Sequence, residues 1–199
     1  HNKESDLDYK ALFETNDEKM LKIQELMKQV AQTCLPVMIC GEQGVGKRFL
    51  AKIIHQISTD EKYQLANVEC ANTNVSSFEE KIFSLYRGKE ETSGNGTSRG
   101  SLILDDVSNL DETLQLKLLN MMKEKKIVHS KTNMVMPFDF RVISMTKNNL
   151  SEEIEKERLK KELYYRLYVV TITIPPLRER ICDIEILAKE FVHHYCKIA

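Results

Sequence analysis

The chain has 199 residues and a formal net charge of −1 at pH 7, with 42% apolar and 30% charged residues. This length suffices for one globular domain with a sizeable core, and the balanced charge excludes a bulk attraction to nucleic acid or to a membrane surface. Because no apolar run approaches the length of a membrane span and no signal peptide opens the chain, we expect a cytoplasmic protein without a membrane partner.

Helical and strand patterns alternate along the chain. In chain order, the predicted elements are a helix at residues 18–33, a strand at 36–40, a helix at 47–57, a strand at 65–68, a helix at 78–85, a solvated loop at 87–99, a strand at 101–104, a helix at 110–125, a hairpin at 127–136, a strand at 140–145, one charged helix at 152–167, a strand at 169–174 and a helix at 183–195. Such alternation is typical of an α/β protein with a parallel sheet covered on both faces.

A glycine-rich segment between the first strand and the second helix has the spacing G-x-x-x-x-G-K, which ends at Lys47. Glycines let successive backbone N–H groups point at phosphate oxygens, while the lysine and the helix N-terminus supply positive charge. The segment therefore predicts a nucleotide-binding cradle. The residues expected to hold the nucleotide there are Gly41, Glu42, Gln43, Gly44, Val45, Gly46, Lys47, Arg48 and Phe49.

Two carboxylates, Asp105 and Asp106, follow the apolar strand at residues 101–104. The carboxyl edge of a parallel sheet is where ligands bind in α/β proteins. We expect Asp105 to bind the nucleotide's Mg²⁺ directly or through water, and Asp106 to orient an attacking water. The expected cofactors are thus ATP or ADP and a weakly held Mg²⁺.

Several sequence runs resemble the central AAA+ domain of sigma-54-dependent, NtrC-like bacterial enhancer-binding transcription activators, over about residues 21–189. The runs that carry the resemblance lie at residues 41–47, 68–71, 101–106, 114–119, 141–143, 162–167 and 175–180. The resemblance implies a three-layer P-loop AAA+ sandwich with a mainly parallel five-stranded sheet. Residues 1–180 would form the nucleotide-binding subdomain, and residues 181–199 the first helix of a truncated helical lid.

The resemblance also implies a ring-forming ATPase that remodels RNA polymerase holoenzyme and contacts DNA through a domain outside this chain. Members of the family carry a GAFTGA loop, which touches the sigma factor, between the positions of residues 85 and 101. That string does not occur here, and the interval holds only residues 86–100. The chain therefore resembles the GAFTGA-lacking branch, whose members work with the housekeeping sigma factor and use ligand or nucleotide binding to set their oligomeric state.

The residues that would carry out hydrolysis depart from the family pattern. Asp106 stands where the family has glutamate, so its carboxylate lies about 1.5 Å further back and turnover should fall. Arg48 follows the cradle lysine, where a Ser or Thr magnesium ligand is usual in P-loop proteins and Glu is common in this family. This arginine could favour an anion with less metal, or point to solvent.

Four more site positions follow from the resemblance. Glu69 and Lys147 replace two asparagines, one that restrains the catalytic glutamate and one that senses phosphate. Lys160 replaces the first of two arginines that reach a neighbour's nucleotide, and Arg166 retains the second. We expect a charge-assisted pair between Glu69 and Lys147 across the site.

The function predicted from the sequence is a nucleotide-binding AAA+ domain of a transcription regulator that acts as an oligomerisation switch. Hydrolysis would be weak or absent, and the domain would not engage sigma-54. One alternative is an active ring ATPase that remodels the sigma-54 holoenzyme, with Asp106 still acting as base. Another is an assembly module that binds a different nucleotide, such as a cyclic dinucleotide.

Overall fold

The computed structural model describes residues 14–58, 64–86, 100–147 and 150–198. Its helices are α1 (Glu18–Ala31), α2 (Lys47–Ser58), α3 (Val75–Ser84), α4 (Glu112–Glu124), α5 (Leu150–Glu155), α6 (Lys161–Leu167) and α7 (Cys182–Ile198). Its strands are β1 (Val37–Cys40), β2 (Gln64–Glu69), β3 (Gly100–Asp105), β4 (Lys126–Val128), β5 (Val135–Pro137), β6 (Phe140–Thr146) and β7 (Val170–Thr173). The loop predicted at residues 87–99 lies outside the described residues.

The central sheet has five strands in the order β2-β3-β6-β1-β7, and all its neighbouring strands run parallel. Successive side chains of a strand point to opposite faces, so each strand contributes to two cores. Met38 of β1 packs in the core beneath α3, α4 and α6, whereas Val37 and Ile39 pack in the core beneath α1 and α2. The predicted three-layer arrangement is confirmed, and β4 and β5 form the predicted antiparallel hairpin.

Three helices begin at residues whose side chains cap them. The carboxylates of Asp17 and Asp111 and the amide oxygen of Asn74 accept backbone N–H groups from the first turns of α1, α4 and α3. Such caps satisfy N–H groups that have no partner within the helix. They fix where the helices begin relative to the sheet.

The single helix predicted at residues 152–167 is wrong, because the structure has α5 and α6 with a turn between them. The buried side chain of Gln115, on α4, causes the break. Its amide nitrogen donates to the Arg158 carbonyl at 2.7 Å, and its amide oxygen accepts the Lys160 N–H at 2.8 Å. These backbone groups are thereby satisfied without a continuous helix, and Glu157 adopts a φ of 57° in the turn.

The carboxyl ends of β1, β2, β3 and β6 meet at one edge of the sheet. Glu69 lies opposite Asp105 in the β2–β3 register, and Cys40 lies opposite Thr146 in the β1–β6 register. This alignment brings the segments after each strand together beside the glycine-rich segment. Within the described ranges, no helix combines the length and apolarity needed to cross a membrane.

Candidate functional site

The cradle, residues 41–47, turns sharply from the end of β1 into the start of α2. Gly44 and Gly46 have φ values of 84° and 100°, a backbone region that glycine enters at little cost. At Gly41 a Cβ atom would lie 2.9 Å from the carbonyl oxygen of Ile174. The first N–H groups of α2 have no helical acceptor, so the cradle ends at a helix N-terminus suited to an anion.

Lys47 lies against the cradle itself. Its Nζ atom donates to the carbonyl oxygens of Gly41 and Glu42, both at 2.8 Å. Burial lowers the pKa of Lys47, while the nearby carboxylates of Asp105 and Asp106 act in the opposite direction. A phosphate at the cradle could replace the two carbonyl contacts with a charge-assisted one, which is the stronger kind.

Two cavities flank the cradle. The strand-end cavity, about 580 Å³, lies between the cradle and the segments that follow β2, β3 and β6. The α7-side cavity, about 570 Å³, lies between the cradle, the segment after β7 and helix α7, and it is lined mainly by apolar residues such as Leu50, Ile174 and Leu187. Both volumes fall within the range of about 300–1,000 Å³ that is common for small-molecule sites.

In the strand-end cavity, Asp105 is held by Arg48. The guanidinium donates to Oδ2 of Asp105 from Nε at 3.1 Å and from Nη2 at 2.5 Å, and Nη2 also donates to Oε1 of Glu69 at 3.3 Å. The hydrogen bond to Asp105 raises the pKa of Arg48, and the one to Glu69 adds to this effect. One arginine therefore links two of the predicted site carboxylates.

Asp106 has a second cation of the chain as its partner. Lys147 Nζ lies 3.1 Å from Oδ2 of Asp106. The same carboxylate accepts hydrogen bonds from Ser108 Oγ at 2.8 Å and Asn109 Nδ2 at 3.0 Å. Asp106 itself has a left-handed backbone, with φ of 56°. Both of its carboxylate oxygens are thus occupied by groups of the protein.

The predicted pair between Glu69 and Lys147 is wrong. Glu69 pairs with Arg48, and Lys147 pairs with Asp106. The sheet order explains the outcome: β3 lies between β2 and β6, so the β3 carboxylates separate the two residues. Each side chain binds the nearer opposite charge.

A divalent cation beside Asp105 does not fit the residues that surround this carboxylate. Mg²⁺ requires nearly octahedral oxygen coordination at about 2.0–2.1 Å. The chain offers Arg48, which has only N–H donors, where P-loop proteins supply a hydroxyl. That arginine also fills one side of Asp105 with a positive charge.

Lys160 and Arg166 lie outside the linings of both cavities. Lys160 Nζ pairs with Glu112 Oε1 at 2.7 Å. The Nε atom of Arg166, on α6, is buried and makes no hydrogen bond within the described part of the chain. Their roles toward the nucleotide of a neighbouring subunit stay predictions.

Several lining residues were not predicted as site residues. The strand-end cavity also contains Cys70, whose pKa burial raises to about 12, together with Ala71, Asn72 and Asn109. The α7-side cavity contains Arg178 and Arg180. Cys70 and Ala71 lie in the 68–71 run and the arginines in the 175–180 run, and these runs indicate the family without indicating a site. Asn109, three residues after Asp106, carries no such signal.

Arg178 and Arg180 join the cradle to the segment that precedes α7. Arg178 forms a bidentate pair with Glu42, at 2.7 and 2.6 Å. Arg180 donates to the carbonyl of Val45 at 3.1 Å and lies 3.8 Å from the buried carboxylate of Asp183. Charged contacts therefore border the apolar centre of the α7-side cavity.

Comparison with known proteins identifies the family to which this domain belongs. The sigma-54 interaction domain profile matches residues 13–173. The nitrogen fixation protein VnfA of Azotobacter vinelandii is 35% identical over 193 residues, which are 92% of this chain and 36% of VnfA. The chain spans about a third of the length of the curated relatives it matches.

Solved structures share the fold. NtrX from Brucella abortus in complex with ATP is 26% identical with a TM-score of 0.77, and covers 94% of this chain and 44% of NtrX. The NtrX complex with ADP is 27% identical with a TM-score of 0.74, and covers 90% of this chain and 41% of NtrX. On the strength of the matched residues and the shared P-loop fold, the chain belongs to the sigma-54 interaction domain family of AAA+ proteins.

Proposed function

We propose that this chain is the nucleotide-binding domain of a bacterial transcription regulator, and that it binds ATP or ADP at the cradle and hydrolyses ATP slowly or not at all. The phosphates of the nucleotide would lie over residues 41–47, and its adenine ring would enter the α7-side cavity. The observation that carries the proposal is the pairing of both strand-end carboxylates, Asp105 and Asp106, with the cations Arg48 and Lys147. A general base already paired with a lysine ammonium group is poorly placed to take a proton from water.

Nucleotide binding would act as an oligomerisation switch. Arg166 lies on α6, in a segment with the exposed aromatic side chains of Tyr165 and Tyr168. The planar guanidinium fork of Arg166 is suited to bidentate binding of a phosphate supplied by a second copy of the chain. Because the string GAFTGA does not occur in the sequence, we propose that the regulator works without engaging sigma-54 and acts on the housekeeping RNA polymerase holoenzyme, with DNA bound by a further domain.

Sedimentation velocity with phosphate-release assays tests this function. The sedimentation coefficient should rise on addition of ATP, and Arg166→Ala should prevent the rise while ATP still binds. Turnover should stay below about 0.01 s⁻¹, against about 1–10³ s⁻¹ for ordinary enzymes. An unchanged sedimentation coefficient at saturating ATP would contradict the switch and favour an assembly module for another ligand.

A second candidate is an active ring ATPase that remodels the sigma-54 holoenzyme. The match to the sigma-54 interaction domain over residues 13–173 favours it. In such an enzyme, turnover per subunit would increase with protein concentration, because Arg166 would act on a neighbour's nucleotide. It would also fall sharply in both Lys47→Ala and Arg166→Ala.

A further inference from the structure

Arg48, the residue after the cradle, binds two carboxylates at once. Three of its five N–H groups are directed at Asp105 and Glu69, from Nε and Nη2. Its Nη1 group makes no hydrogen bond within the described residues, and its side chain is 48% exposed. Two N–H donors of a fixed guanidinium therefore remain for a ligand oxygen in the strand-end cavity.

The charges of this cavity balance without any added ion. Its lining contains three cationic side chains, Lys47, Arg48 and Lys147, and three carboxylates, Glu69, Asp105 and Asp106. A guanidinium stays protonated at all ordinary pH values, so Arg48 always contributes its positive charge to this balance. A dication at Asp105 would have to displace Arg48 or lie beside its charge, and the second arrangement is repulsive.

We infer that Arg48 takes the place of the divalent cation, so that the cradle binds the phosphates of ATP or ADP without a metal. The inference rests on the proposed nucleotide binding and specifies how its charge is neutralised. Asp105 and Glu69 act as positioning residues that hold the guanidinium beside the cradle. Arg48 is then the residue that determines whether nucleotide affinity depends on metal.

Calorimetric titration of ADP and ATP into this chain, with Mg²⁺ or with EDTA, tests the inference. For the unmodified chain we expect dissociation constants that agree within about threefold between the two buffers. In Arg48→Ser, which supplies the hydroxyl that is usual in P-loop proteins and frees both carboxylates, affinity in EDTA should fall by about tenfold or more and Mg²⁺ should recover most of it. Arg48→Lys should fall between the two, because it keeps the charge but not the fork.

Thermal unfolding with Mg²⁺ alone gives a readout that needs no nucleotide. The melting temperature of the unmodified chain should not respond to Mg²⁺. That of Arg48→Ser should rise, because Asp105 and Glu69 are then free to bind the ion. The matched control Lys156→Ser removes an exposed lysine that pairs with Glu152 on α5, and it should behave as the unmodified chain in both experiments.

Three results would overturn the inference. Binding to the unmodified chain that is at least about tenfold stronger with Mg²⁺ would refute it and leave nucleotide binding intact. Metal-independent binding that persists in Arg48→Ser would show that Arg48 is not the cause. If the unmodified chain binds neither nucleotide in either buffer, the proposed function fails and this inference fails with it.

Discussion

Lys147 Nζ lies 3.1 Å from Oδ2 of Asp106, so a lysine after β6 pairs with the carboxylate that is predicted to activate water. Ser108 and Asn109 bind the same carboxylate. A general base must accept a proton from water at hydrogen-bond distance, or through one bridging water. Here the protein's own groups compete for that position.

Removing this competition should increase ATP hydrolysis. In the double variant Asp106→Glu with Lys147→Asn, the acidic side chain is longer by one methylene and its carboxylate loses its lysine partner. We expect phosphate release to increase at least about tenfold, because general bases contribute about 10²–10⁴-fold to rates. Asp106→Glu alone should gain less, since Lys147 can still reach a glutamate. Steady-state phosphate release at saturating ATP measures both.

Lys189→Asn is the matched control for this experiment. Lys189 is exposed on α7 and pairs with Glu185, four residues earlier. The Lys189→Asn variant should leave phosphate release unchanged. A double variant no faster than the unmodified chain would show that the Lys147–Asp106 pair does not limit hydrolysis.

The buried carboxylate of Glu79, on α3, should contribute pH-dependent stability. It is 1% exposed and accepts hydrogen bonds from Lys117 and from the backbone and hydroxyl of Ser130. Burial raises the pKa of Glu79, but these hydrogen bonds outweigh it and hold the pKa below its usual range. A lowered folded-state pKa stabilises the protein above the unfolded-state pKa, and this stabilisation is lost as pH falls through the folded-state pKa.

Glu79→Gln should therefore destabilise the protein by about 3 kcal/mol at pH 7, because it leaves the Lys117 ammonium group without its carboxylate partner. The difference from the unmodified chain should shrink below about pH 4, where glutamate becomes protonated. Urea unfolding at pH 7 and pH 3.5 measures it. Glu80→Gln, at the exposed neighbouring position, should change stability by less than about 0.5 kcal/mol. A difference that is equal at both pH values would count against the ion pair.

Gly100, at the start of β3, allows a close approach to β2. A Cβ atom there would lie 2.1 Å from the backbone oxygen of Gln64. Gly100→Ala should therefore force the two strands apart and cost about 3 kcal/mol of unfolding free energy. Gly44→Ala is the comparison: its Cβ would meet no atom within 4 Å, so only the positive φ opposes it, at about 1–2 kcal/mol. Equal losses in chemical denaturation would show that the clash is relieved.

Most of the sheet could be predicted from the sequence. Its strands are short apolar runs, such as residues 101–104 in β3, and their order along the chain fixes a parallel sheet once helices lie between them. The one helix that failed, at residues 152–167, shows the limit. Its charged pattern is helical throughout, but Gln115, more than thirty residues earlier in the chain, binds the backbone of the break. Such a tertiary contact overrides local propensity.

Only part of the site could be predicted from the sequence, because some of its contacts also depend on the tertiary structure. Residues 41–47 form a local structure, so their spacing alone indicates the cradle. The partners of Glu69 and Lys147 depend instead on which strand lies between β2 and β6, and that is set by the sheet order. The orientation of Arg48 toward Asp105 likewise joins residues 57 positions apart in sequence.

Equilibrium binding of ATP and ADP to this chain, compared with Lys47→Ala, tests the central claim most directly. Lys47 contacts the cradle carbonyls and supplies its positive charge, so its removal should weaken binding by at least about tenfold. Lys47-dependent binding is the predicted result. No binding to the unmodified chain, or binding that Lys47→Ala leaves unchanged, would contradict a nucleotide site at residues 41–47.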